Sequence, residues 1–150
     1  RLGSILGGAT MSIQGVKQVS IGNPFSNITG YSYHDGITYA EGKLKRTSNH
    51  AGGMEGGISN GEDIDVFCYM KPIPSILLKL PSVDLKTKEN TESRYERSDV
   101  SAVVPLSIVL ENVLAYEILK EITRTFSNDS KEELKEAIKY REMRLGELDE

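Results

Sequence analysis

Hydrophobic and polar positions divide the chain into a strand-rich first part and a helical last part. Residues 2–11 are apolar and small, with Gly7, Gly8 and Ala9 together, and read as a short, weak helix. From Val16 to Ile21 the pattern alternates, Lys17, Val19 and Ile21 against Val16, Gln18 and Ser20, which predicts a strand. Residues 22–50 are rich in Gly, Asn, Ser, Thr and Tyr and predict a long loop or hairpin excursion, with Asp35-Gly36 as its turn signal. Alternation returns from Asp63 to Met70. Ile64, Val66, Cys68 and Met70 share one face, and Asp63, Asp65, Phe67 and Tyr69 the other. Ile76–Leu80 is another short apolar run, closed by Pro81. Residues 84–98 hold eight charges in fifteen positions with no apolar period, and predict a mobile loop.

After Val104 the period changes. Leu106, Leu110, Leu114, Ile118 and Ile122 recur every four residues, flanked by Val109 and Val113. This predicts a long helix ending near Phe126 and packing on the sheet. Ser130-Lys131-Glu132-Glu133 is a capping box opening a second helix through Leu134 and Ile138. Strands followed by helices predict an α+β layer structure. No tandem repeat is present, and 150 residues suit one domain.

Composition narrows the functions open to such a domain. A net charge of −4 is the wrong balance for a general nucleic-acid binder. The single cysteine, Cys68, allows no internal disulfide and favours a reducing compartment. No apolar run reaches the roughly 20 residues of a membrane span, and the N-terminus lacks a signal-peptide pattern. A soluble, cytoplasmic protein is therefore expected, and the sequons at Asn27 and Asn128 read as chance matches. The chain opens on Arg1-Leu2-Gly3 rather than methionine, which reads as a start inside a longer polypeptide.

The most unusual stretch runs from Asn49 to Gly61, where five of thirteen residues are glycine. Glycine admits positive φ and close approach of backbone to a ligand, and successive N–H groups can form an anion nest. An irregular loop without function is equally compatible with glycine content alone. The stretch is neither a P-loop nor a G-x-G-x-x-G turn. Gly57-Ile58-Ser59-Asn60-Gly61 has the spacing of a nucleophile elbow, but a strand follows instead of a helix, and neither histidine lies after Ser59. His34, His50 and Cys68 have no metal-ligand spacing. His34 reads as a turn residue, and His50 borders the glycine stretch. In Lys71-Pro72-Ile73-Pro74-Ser75, the prolines hold an extended path and leave the ammonium and hydroxyl available. Arg97-Ser98-Asp99 stands just before the long helix, where a structural ion pair is the simpler reading.

Taken in order, these segments resemble the chorismate synthase family. The resemblance rests on Met11-Ser12-Ile13-x-x-Val16-Lys17, the run from Ser48 to Gly61, Lys71-Pro72-x-Pro74-Ser75, Val83-Asp84 and Arg97-Ser98-Asp99-Val100. It covers nearly the whole chain, thinning over residues 22–45 and past 130. The family implies an FMN-dependent lyase that converts 5-enolpyruvylshikimate 3-phosphate to chorismate and phosphate by trans-1,4 elimination, with reduced FMN and no net redox change. It further implies a homotetramer with a β-α-β sandwich core; charge and the lack of a long apolar run, as above, are the grounds for expecting no nucleic-acid or membrane partner. Position by position, it implies flavin contacts at Gln14, Gly15, Gly56, Lys71, Pro72, Ile73, Pro74, Ser75 and Arg97. Asp99 would assist proton transfer near flavin N5.

Departures from the family pattern are Gln14-Gly15 where Pro-Ala or Asn-Ala is frequent, Gln18 where glycine is usual, and Ser101 where cysteine is frequent. The family's catalytic histidines and main substrate arginines belong to an N-terminal portion with no counterpart here, so the chain alone is expected to be inactive. Competing readings are a non-catalytic flavin- or anion-binding module and a domain serving oligomerisation.

Overall fold

The computed structural model describes residues 1–24, 29–95, 97, 100–126 and 129–146. Its first element is α1 (Leu2–Ser12), which turns at Ile13 into β1 (Val16–Ile21). Leu6 and Thr10, one helical turn apart, are both fully buried where α1 packs on β1. Thr10 donates its hydroxyl hydrogen to the Leu6 carbonyl at 2.8 Å, so the buried polar group is satisfied within the helix.

β1 pairs antiparallel with β6 (Val66–Met70), with Val19 opposite Cys68 and Ile21 opposite Val66. The register slips between Val16 and Gln18, and one extra residue changes which face the preceding side chain takes. Plain alternation puts Val16 with Gln18; in the structure Val16 is buried and Gln18 is exposed. β6 starts three residues later than its alternation predicts. The backbone of residues 63–65 is taken by other partners: Gly22 N–H donates to Asp65 O, and Asp65 N–H donates to Gly52 O. The predicted faces survive along β6, with Val66, Cys68 and Met70 half-buried and Phe67 and Tyr69 exposed.

The excursion from 22 to 50 carries α2 (Gly30–Tyr33) and a hairpin of β2 (Ile37–Ala40) and β3 (Lys43–Arg46). Its turn is Glu41-Gly42, both at positive φ, and not Asp35-Gly36. Asp35 is committed elsewhere, as described below. Inside the glycine stretch a second, minimal hairpin forms from β4 (Met54–Glu55) and β5 (Ile58–Ser59), turning at Gly56-Gly57 with φ of 61° and 92°. Two consecutive positive-φ residues are what a two-residue hairpin turn of this hand requires. Ile76–Leu80 forms no strand; β7 (Pro81–Val83) pairs instead with β8 (Asn90–Glu92). Residues 84–98 therefore contain half of a hairpin. All six strand residues are exposed, and the connection is held by Asp84, whose carboxylate accepts the N–H groups of Lys86 and Thr87.

The last two elements are α3 (Val103–Thr125), with bounds close to those expected, and α4 (Lys131–Gly146), which starts at the expected capping box and runs past Ile138. Glu133 N–H donates to the Ser130 hydroxyl, as the capping box requires. α3 packs on α1 and not mainly on a sheet. Of its four-residue stripe, Leu106 is buried and Leu110, Leu114, Ile118 and Ile122 are half-buried, while Val104, Ile108, Val109 and Tyr116 stand in solvent. The whole chain exposes 11938 Å². A compact monomer of this mass would expose about 7,600 Å². The α+β class is as expected, built here as four two-stranded antiparallel ladders among the described residues.

Candidate cofactor site

Two groups of sequence-predicted residues meet at one end of the β1–β6 ladder. Gly15, at φ 92°, makes the turn from α1 into β1, and its carbonyl accepts the N–H of Lys71 at 2.8 Å. A side chain at Gly15 would lie 3.1 Å from Met70 Cε, so the turn also lets the two strands close up. Gln14 is thereby set beside the exit of β6, from which Lys71, Pro72, Ile73, Pro74 and Ser75 run on without regular pairing. Gln14, Lys71, Pro72 and Pro74 are exposed, and Ile73 and Ser75 half-buried. Neither the Lys71 ammonium nor the exposed Arg97 guanidinium has an ion-pair partner among the described residues. Asp99 and Ser98 lie outside the described residues.

Gly56 is not part of that group. The Gly57 carbonyl accepts the N–H of Leu2, so the β4–β5 turn sits at the start of α1, whereas Gly15 lies beyond its end. Eleven helical residues separate the two places, a length of about 17 Å. A Cβ built on Gly56 meets nothing within 4 Å. The turn thus offers open space beside backbone, with Arg46 paired to Glu55 at its base.

The rest of the glycine stretch is fastened by three side chains that sequence reading left unassigned or misassigned. Gly22 and Gly52 stand back to back: a Cβ on Gly22 would lie 2.2 Å from His50 O, and one on Gly52 2.3 Å from Gly22 N. Asn49 clasps the segment to the approach of β6. Its amide donates to Asp63 O at 2.9 Å and Asp65 Oδ2 at 3.1 Å, and its Oδ1 accepts Gly53 N–H at 2.7 Å. Asp35 Oδ1 accepts the Ser48 hydroxyl at 2.6 Å and His50 N–H at 2.8 Å, and Oδ2 accepts Ala51 N–H at 2.9 Å. Burial alone would push this carboxyl up. The hydrogen bonds from Ser48, Ala51 and His50, with the His50 ring nearby, outweigh burial and hold it below its ordinary value. His50 stacks on Tyr33 and places Nδ1 3.0 Å from the Tyr33 carbonyl. Nothing local in the sequence links Asp35 to residues 48–51. His34 ends α2, and Ser59 lies on a strand, away from any strand-to-helix turn. Among the described residues no cluster of three metal-ligating side chains occurs, and no helix is long and apolar enough to cross a membrane.

These features define an α+β protein with a glycine-rich hairpin at one end of a central ladder and, at the other, a lysine without an ion-pair partner among the described residues. Residues 1–123 match the family model described as chorismate synthase, and the chain belongs to that family. The chorismate synthase of Clostridium tetani is 50% identical over 141 residues, covering 93% of this chain and 36% of the relative. That of Caldanaerobacter subterraneus is 46% identical over 138 residues, covering 90% and 39%. A solved chorismate synthase crystal structure superposes with a TM-score of 0.72 at 33% identity, over 94% of this chain and 36% of that one. The chain thus spans little more than a third of the length of these relatives.

Proposed function

We propose that the polypeptide carrying this chain is a chorismate synthase, a lyase that turns 5-enolpyruvylshikimate 3-phosphate into chorismate and phosphate with reduced FMN, and that this chain supplies part of its cofactor pocket. The observation that carries the reading is the family match over residues 1–123, within which the ordered glycine, Lys-Pro and Arg-Ser-Asp segments all fall.

The residues present fit a flavin phosphate chemically. Lys71 and Arg97 are exposed cations without counter-ions among the described residues, and a charge-assisted bond to phosphate would supply one. Gly56 leaves space at an exposed turn, with its backbone open to a ligand. Because α1 runs between the Gly56-Gly57 turn and the Gly15 turn, Gln14, Gly15 and Lys71 would contact a different part of an extended ligand from Gly56, or a separate ligand. When bound, reduced FMN supplies the electron-rich ring that assists loss of phosphate and of a carbon-bound proton. Lys71 and Arg97 would offset negative charge, and the prolines at 72 and 74 would keep the Lys71 backbone extended without competing donors. Asp99, by its family position, would hold or take a proton near the reacting flavin atom. The full-length enzyme would assemble as a homotetramer, as the resemblance to the family implies.

Titration of reduced FMN into the full-length polypeptide tests the pocket. Lys71→Ala is expected to weaken binding about tenfold, the value of one charged hydrogen bond. Unchanged affinity would remove Lys71 from the site.

A further inference from the structure

Asp35 is a buried carboxylate with no place in the chemistry above, and its contacts all reach toward the start of the glycine stretch. Its side chain is 1% exposed. Both oxygens are engaged, and the three donors come from Ser48, His50 and Ala51, the residues that deliver the chain into Gly52-Gly53. One carboxylate thereby fixes two consecutive backbone N–H groups and a flanking side chain, thirteen to sixteen residues away in sequence.

The same carboxylate bears on His50. Nδ1 lies 3.0 Å from the Tyr33 carbonyl and 3.4 Å from Asp35 Oδ1. A carbonyl and an ionised carboxylate only accept, so Nδ1 must carry the hydrogen. In the neutral ring Nε2 is then the acceptor, and it has no partner among the described residues. The His50 side chain is 32% exposed, so a ligand can reach the ring.

We propose that Asp35 is a positioning residue for the glycine stretch, fixing the backbone from Ser48 to Gly52 and holding His50 as its Nδ1–H tautomer with Nε2 turned over to a ligand hydrogen-bond donor such as a hydroxyl or imide N–H. This rests on the reading of the glycine stretch as a ligand-binding loop. Asn at position 35 keeps the size but sets an amide N–H₂ against one of the donors, leaving a buried N–H unpaired.

The test compares Asp35→Asn, Ser48→Ala and Gly56→Val in the full-length polypeptide, by amide exchange without ligand and by titration with reduced FMN. For Asp35→Asn, protection of the His50, Ala51 and Gly52 amides should fall tenfold or more while that of β1 and β6 is kept, and FMN affinity should fall about tenfold. The ring-nitrogen shifts of wild-type His50 should show hydrogen on Nδ1. Ser48→Ala removes one donor and leaves the carboxylate, so protection of the same amides should fall about fivefold; it serves if the Asn variant does not fold. Unchanged local protection in either folded variant, a uniform loss across β1 and β6, or a hydrogen on Nε2 would overturn the proposal. If Gly56→Val also leaves FMN affinity unchanged, the ligand-loop reading fails, and the exchange and tautomer measurements still decide the role of Asp35.

Discussion

Gly53 and Gly56 lie three residues apart at similar positive φ, 72° and 61°, yet alanine should have different costs at the two sites. Both substitutions place a side chain in the left-handed region, at about 1 kcal/mol. At Gly56 that is nearly the whole cost, since the new Cβ meets nothing within 4 Å. At Gly53 it would lie 2.3 Å from Asp63 O and 2.8 Å from Glu62 O, both backbone atoms. Relief requires the two segments to part, which lengthens two bonds that cross between them, from the Asn49 amide to Asp63 O and from Asp65 N–H to Gly52 O. Two hydrogen bonds at about 1 kcal/mol each bring the Gly53→Ala cost to about 3 kcal/mol. Urea denaturation of the two variants beside wild type measures the difference directly, provided the slope is unchanged. Gly56→Ala should lose about 1 kcal/mol, with Gly53→Ala about 2 kcal/mol worse. Equal losses would refute the claim that residues 49–53 are clasped to the approach of β6 while the turn at Gly56 is open.

In the full-length polypeptide, Asp99→Asn should lower single-turnover chorismate formation by roughly 10²–10⁴-fold with little change in FMN affinity, as expected for a positioned acid or base. A variant with lower thermal stability and normal turnover would make Asp99 only a structural partner. Asp35 gives a pH dependence of definite sign. Its folded pKa is below 3.8, so its stabilising contribution is fully present above 3.8 and is lost as pH falls through the folded value. Protection of the Ser48–Gly52 amides should therefore stay constant from about pH 5 to 8, and collapse only in acid below the ordinary Asp range. A loss of protection inside that window would refute the assignment of the ordering to Asp35.

Elements set by local periodicity were legible in the sequence. α1, β1 and α3 follow from small-residue and apolar patterns, and the structure places them within a residue; the capping box marks the start of α4, which runs on to Gly146. What was not legible depends on long-range side-chain contacts. Asp35-Gly36 has turn chemistry, but the carboxylate is used on residues 48–51, and the hairpin turns at Glu41-Gly42 instead. Asp63 and Asp65 alternate like strand residues, yet their backbone groups serve the glycine stretch. Lys71 and Gln14 could be brought together only by the β1–β6 register, and the distance of Gly56 from them only by the path of α1. The exposed stripe on α3 reflects the same limit. An apolar period tells that a helix face is covered and not by what, and here α1 covers only part of it.

Chorismate formation decides whether the polypeptide carrying this chain is a chorismate synthase. Under anaerobic conditions, the full-length polypeptide carrying this chain is mixed with 5-enolpyruvylshikimate 3-phosphate and FMN, oxidised or reduced, and chorismate and phosphate are measured together. Equal amounts of both products are expected with reduced FMN and none with oxidised FMN, and none from residues 1–150 expressed alone. Absence of chorismate from the full-length polypeptide with reduced FMN, or its formation without any flavin, would refute the proposed function.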